Sequence, residues 1–264
     1  MTLLGTYEDG DYRAEFGALV VRGFWPAGVG GTGELRHLNL PLLAEDAFAG
    51  GARSDLARAG AGWVLGTAAP HAHVRLEAHD APPGRGSGGW SDALDTPFLT
   101  SRGDIKLTRG RGDDSPWNLK LVRAGLHRLR VLRRRTSDGH RWLLQFWPVA
   151  GSPEPPRFLA RSRPAVATGG PGQGDKRYGP LAMDVLSVAL WSPGRHTRAA
   201  LADRLMATPE QVREALRYLT RRGLLRVGGT DAGLTSTIAL VPERPRPPGV
   251  SVPSPARPWS TAAR

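Results

Sequence analysis

The sequence predicts an α+β, two-domain protein, with an N-terminal antiparallel β-sandwich-like half and a small helical C-terminal half. Three observations carry this expectation. Residues 1–150 contain short runs that alternate apolar and polar residues, separated by turn clusters. Residues 151–177 are rich in Pro and Gly and read as a linker. Residues 178–243 then switch to helical period, before a Pro-rich stretch over 244–264 that reads as a disordered tail.

Alternation places the strands. From His71 to Glu77, the residues His71, His73, Arg75 and Glu77 fall on one side and Ala72, Val74 and Leu76 on the other. Further strands are expected at Asp104–Thr108, Asn118–Val122, His127–Leu132 and Trp142–Trp147. Pro82-Pro83-Gly84, the Gly110–Asp114 run and Ser137-Asp138-Gly139 supply the turns between them. Asp46–Ala59 is expected to form a short helix between strands.

The C-terminal half is written differently. Leu201 and Leu205 lie four residues apart on one face of a first short helix. Thr208 offers a capping hydroxyl and Pro209 sits at the first position of the next helix, where its missing N–H costs nothing. Val212, Ala215, Leu216 and Leu219 then form one buried stripe, with Arg213, Glu214, Arg217 and Arg221 on the other side. Gly223 stops the helix, and Leu224, Leu225 and Val227 begin an extended run.

The pattern of a helix around MDVLSVAL, then ALADRL, a turn, VREALRYL and RRGLL resembles the winged helix-turn-helix of bacterial transcription regulators. The resemblance implies that the helix from Pro209 to Arg222 enters the major groove of double-stranded DNA, and that the protein acts as a homodimer on a two-fold site. Carried over by position, it implies DNA contacts from Thr208, Gln211, Arg213, Arg217 and Arg221, and phosphate contacts from Thr197 and Arg198. The expected wing, Gly228 to Gly233, departs from the pattern, because it carries no Lys or Arg and has Asp231 at its tip. Winged helices also serve in dimerisation and protein docking, and this is the competing reading. Residues 60–150 resemble a small β-sandwich domain of actinobacterial proteins and, more faintly, the competence protein J type of nuclease inhibitor. That resemblance implies a binding or inhibitory module without catalytic residues.

Charge bounds the partners. The net charge is +12, but residues 178–243 hold 8 basic and 6 acidic groups, a balance of only +2. The charge therefore supports DNA binding modestly, through the recognition helix rather than the whole chain. There is no cysteine, so disulfides and thiolate metal sites are excluded. No 18-residue apolar run and no secretory pattern occur, and a cytoplasmic protein is expected.

Other motifs yield little chemistry. His71 and His73 point to one side of a strand and could hold zinc if His79 or Asp80 joined them, but Arg75 and Glu77 share that face and mark it as solvent-facing. Gly28 to Gly33 formally matches a dinucleotide loop, yet the residues that follow are broken by Pro41 and lack helical period. Arg133-Arg134-Arg135 reads as a solvated strand end that could reinforce an anionic partner surface. Since no nucleophile–base spacing or paired helical carboxylates occur, no catalytic residue, metal or cofactor is assigned and no enzyme is expected.

Overall fold

The computed structural model describes residues 1–14, 17–24, 56–60, 62–84, 89–108, 116–162, 180–192, 194–221, 225–228 and 235–240. Strands β1 (Leu3–Arg13), β2 (Ala18–Gly23), β3 (Ala57–Ala59), β4 (Trp63–Thr67), β5 (His71–His79), β6 (Asp92–Thr100), β7 (Asp104–Thr108), β8 (Leu119–Lys120), β9 (Gly125–Thr136), β10 (Gly139–Pro148) and β11 (Arg157–Ala160) form the N-terminal body. Helices α1 (Pro180–Trp191), α2 (Arg198–Leu205) and α3 (Pro209–Arg221) follow, with β12 (Gly194–Thr197), β13 (Leu225–Gly228) and β14 (Thr235–Leu240) beside them.

The strands assemble into three sheets among the described residues. The largest runs β1-β5-β10-β9-β6-β11, the second β3-β4-β2-β7-β8, and the third β12-β14-β13. Alternation decides which residues of a strand point into the core. Val74 and Leu76 of β5, Val131 of β9, and Trp142, Leu144 and Phe146 of β10 all lie inside. The first and second sheets meet over these rings. Phe98 packs edge-on against Phe146 at 5.2 Å. Gly23 and Gly66 make the close approach possible: a Cβ on Gly23 would lie 2.7 Å from Phe98 Cζ, and one on Gly66 would lie 3.1 Å from the Trp142 ring.

The expected fold class needs correction. The described residues are mostly β, 51% strand against 21% helix, and a C-terminal winged helix-turn-helix domain is not supported. Nor is the largest sheet antiparallel throughout, because β10 pairs parallel to β5, with His140 opposite Ala72 and Phe146 opposite Ala78. The helices sit on the β body instead of forming a tethered unit. From Leu181 to Ala189 every residue of α1 is buried, including Asp184 and Ser187, as in a helix enclosed on all sides. Its core residues join those of the sheets in one cluster. Trp191 donates from Nε1 to the Ala59 carbonyl of β3 at 3.4 Å. Arg161, just past β11, ion-pairs with Asp184 of α1 at 3.1 Å and donates to the Leu205 carbonyl of α2 at 2.7 Å.

Two local expectations also change. Arg157–Ala160, inside the segment read as linker, is a strand that pairs with β6. Ala57–Ala59, read as the end of a helix, is β3, while residues 46–55 lie outside the described residues. The Gly28–Gly33 loop, the wing residues Gly229–Gly233 and the tail over 244–264 lie outside them as well.

Candidate nucleic-acid interface

The site expected from the sequence lies on α2, α3 and the turn joining them. Thr197 caps α2, its backbone extended at φ −78 and ψ 147, and its hydroxyl accepts from the Ala200 N–H at 3.0 Å. The helix ends at Met206, a non-glycine residue in the left-handed region at φ 49 and ψ 51. Thr208 then caps α3. Its Oγ1 accepts from the Gln211 N–H at 3.2 Å, while the Gln211 Oε1 accepts from the Thr208 N–H at 2.8 Å. This reciprocal pair is a capping box, which satisfies two backbone donors at the helix start.

The geometry sorts the seven expected contacts into three kinds. Thr197, Thr208 and Gln211 spend their polar groups on helix ends, so they position the helices. Arg213 makes a local ion pair with Glu210, one turn back. Arg217 and Arg221 are exposed and Arg198 is half-buried; none of the three has an ion-pair partner among the described residues. Arg213, Arg217 and Arg221 follow one another at four-residue spacing, which sets them in a row along the face opposite Val212, Ala215, Leu216 and Leu219. The rise between successive arginines is about 6 Å, so the row is about 12 Å long.

Sequence reasoning missed the groups that seat this helix pair. Arg204 of α2 donates to the Pro155 carbonyl at 3.0 Å, and Arg161 reaches α1 and α2 together. Neither contact leaves a local pattern, because the partners are 49 and 44 residues apart for the carbonyls.

The histidines of β5 do not converge. His71 faces Asp11 at 3.7 Å, His73 takes Glu8 at 2.5 Å, and His79 takes Glu77 at 3.0 Å. Asp80 instead accepts the Thr2 N–H at 2.6 Å. Glu77 is the centre of a different arrangement on this sheet face: Arg75, His79 and the Gln145 amide all reach its carboxylate, at 2.8, 3.0 and 2.9 Å. Burial acts to raise its pKa, but the hydrogen bonds from Gln145 and His79 and the charge of Arg75 outweigh this and hold it below the usual range. The network ties β5 to β10 across their parallel pairing.

No protein-family model matches the chain. No curated protein matches it either. Among solved structures, it is similar to one titled "Crocagin biosynthetic gene J", at 12% identity and a TM-score of 0.34, covering 57% of this chain and all of that one. At that level the likeness assigns neither fold nor activity.

Proposed function

We propose that the protein binds double-stranded DNA through the exposed face of α3 and serves as a transcription regulator in the cytoplasm. The observation that carries this reading is the row of Arg213, Arg217 and Arg221 on a helix whose opposite face is buried in the core. A rigid helix presents its guanidiniums at fixed spacing, and an α-helix, about 10–12 Å across with its side chains, fits a major groove about 12 Å wide. Arg198, at the start of α2, adds a cation beside the capped helix ends. A homodimer would double these contacts on a two-fold site.

The test is fluorescence anisotropy of the whole chain with labelled duplex DNA across a salt series. Each phosphate contact contributes a slope of about −0.9 in log K against log salt. The Arg217→Ala variant should therefore either lower the slope by about one unit uniformly across sequences, or cost about 1–3 kcal/mol on sequences where that side chain pairs with a guanine. No binding at low salt, or unchanged binding by an Arg217→Ala/Arg221→Ala variant, would refute the reading.

A second reading, a protein-interaction module, is favoured by one observation. Strand β1 lies at an edge of the largest sheet, and Leu3 and Leu4 on it are 43% and 51% exposed. Such an edge suits the addition of a partner's strand. Loss of self-association or partner capture in a Leu4→Lys variant, with DNA binding absent, would favour it.

A further inference from the structure

The end of the β9–β10 hairpin holds a feature that the nucleic-acid reading does not use. Arg134, Arg135 and Thr136 of β9, with Gly89, Ser91 and Ser162, line an open cavity of about 550 Å³. Cavities of this size, about 300–1,000 Å³, accommodate small molecules.

The charges around it are unequal. Arg133 is neutralised by Asp92 and Arg130 by Asp95, each at 2.8 Å. Neither Arg134 nor Arg135 has a carboxylate partner among the described residues. Asp92, buried next to the cavity-lining Ser91, is already saturated: it also accepts the Ser162 N–H and hydroxyl, both at 2.8 Å. Asp138, at the hairpin turn, does not line the cavity. The two guanidiniums therefore give the cavity a net positive lining.

Arg134 is also held ready. Its guanidinium lies over the Trp90 ring at 5.7 Å. The attraction between a cation and the electron-rich ring face helps fix the position of the guanidinium. Its Nε is buried with no hydrogen-bond partner among the described residues, and an unsatisfied buried donor carries a free-energy cost. The hydroxyls of Ser91 and Ser162 already donate to the Arg133 carbonyl and to Asp92, so the guanidiniums must supply the donors.

We propose that this cavity binds a small phosphate-bearing molecule, its phosphate held by Arg134 and Arg135. Two guanidiniums offer more donors than one carboxylate accepts, and they match the three terminal oxygens of a phosphate. The cavity has room for more than the phosphate alone. The site is independent of the arginine row on α3.

Isothermal titration calorimetry of the full chain, at fixed ionic strength, tests this with inorganic phosphate, adenosine 5′-monophosphate and acetate. Binding of phosphate or the nucleotide, weakened at least tenfold in both Arg134→Ala and Arg135→Ala, is expected. Arg135 is exposed, so its variant should fold even if the Arg134 variant does not. Equal affinity for the two phosphate probes would show that the phosphate alone is recognised; tighter nucleotide binding would show that the rest of the cavity is engaged. Absence of binding by both phosphate probes, acetate binding as tight as phosphate, or undiminished binding by the Arg135 variant would overturn the proposal.

Discussion

Replacing Asp92 with alanine should be among the most damaging single changes in the chain. Asp92 is 4% exposed at the start of β6. Arg133 donates to it from Nε at 3.0 Å and from a terminal nitrogen at 2.8 Å, and Ser162 donates from its N–H and hydroxyl at 2.8 Å each. Removing the carboxylate strands Arg133, which is itself only 7% exposed, with the Thr67 carbonyl and the Trp142 face as its remaining partners. Breaking a buried ion pair from one side costs about 3–5 kcal/mol. The loss of the Ser162 bonds also releases the chain just past β11, next to the Arg161 contact that seats α1 and α2. Against a typical domain stability of about 5–15 kcal/mol, the variant should sit near the edge of folding. Urea unfolding followed by tryptophan fluorescence measures this as a fall in midpoint at constant m. An Asp92→Ala/Arg133→Met variant should recover part of the loss, because no charge is then left buried. A cost below about 1 kcal/mol for Asp92→Ala would refute the reasoning, since it would place the pair on the scale of a surface salt bridge.

Three other outcomes are expected. Asp92 is buried, which raises its pKa, but the bonds from Ser162 and the charge of Arg133 outweigh this and depress it below 3.8, as the network around Glu77 depresses that group below 4.5. The stability these carboxylates contribute is therefore present above about pH 4.5 and lost as pH falls through the lowered folded values. Unfolding midpoints measured from pH 6 downward should fall less steeply for Asp92→Asn than for the native chain. Gly23→Val should cost about 1–3 kcal/mol by overpacking, because its Cβ would meet the Phe98 ring at 2.7 Å, and adding Phe98→Leu should relieve part of that in the same unfolding assay. Thr208→Ala should lower stability by about 0.5–2 kcal/mol through the lost cap while leaving the salt slope of DNA binding unchanged. A fall in DNA affinity at unchanged slope would instead make Thr208 a phosphate contact, because a neutral hydroxyl releases no counterion.

How much of this was legible depends on the range of the interaction. Asp104–Thr108 is β7 end to end, and the alternating runs at His71, His127 and Trp142 fall inside β5, β9 and β10. Period alone decides which side of a strand is apolar, and that decision is local. It does not choose the neighbouring strand. The parallel pairing of β5 with β10 joins residues on either side of β6 to β9, so nothing in either run foretells it. β11 was hidden for a different reason: RFLA lies among prolines and is too short to show a period, and its pairing with β6 is what makes it a strand.

The helix contacts show the same limit from the side of function. The winged-helix resemblance implies DNA contacts from Thr197, Thr208 and Gln211, three polar side chains at helix starts, of which Thr208 is also marked by the sequence as a cap. Those are the positions where an unpaired backbone N–H competes for the same oxygen, and the backbone is always present. A guanidinium cannot cap a helix start, since it has no acceptor to offer. Arg217 and Arg221 consequently keep their donors for a partner, while Thr208 and Gln211 fix the angle at which the helix presents them. Binding strength and salt dependence should therefore follow the arginines, and loss of helix order should follow the caps.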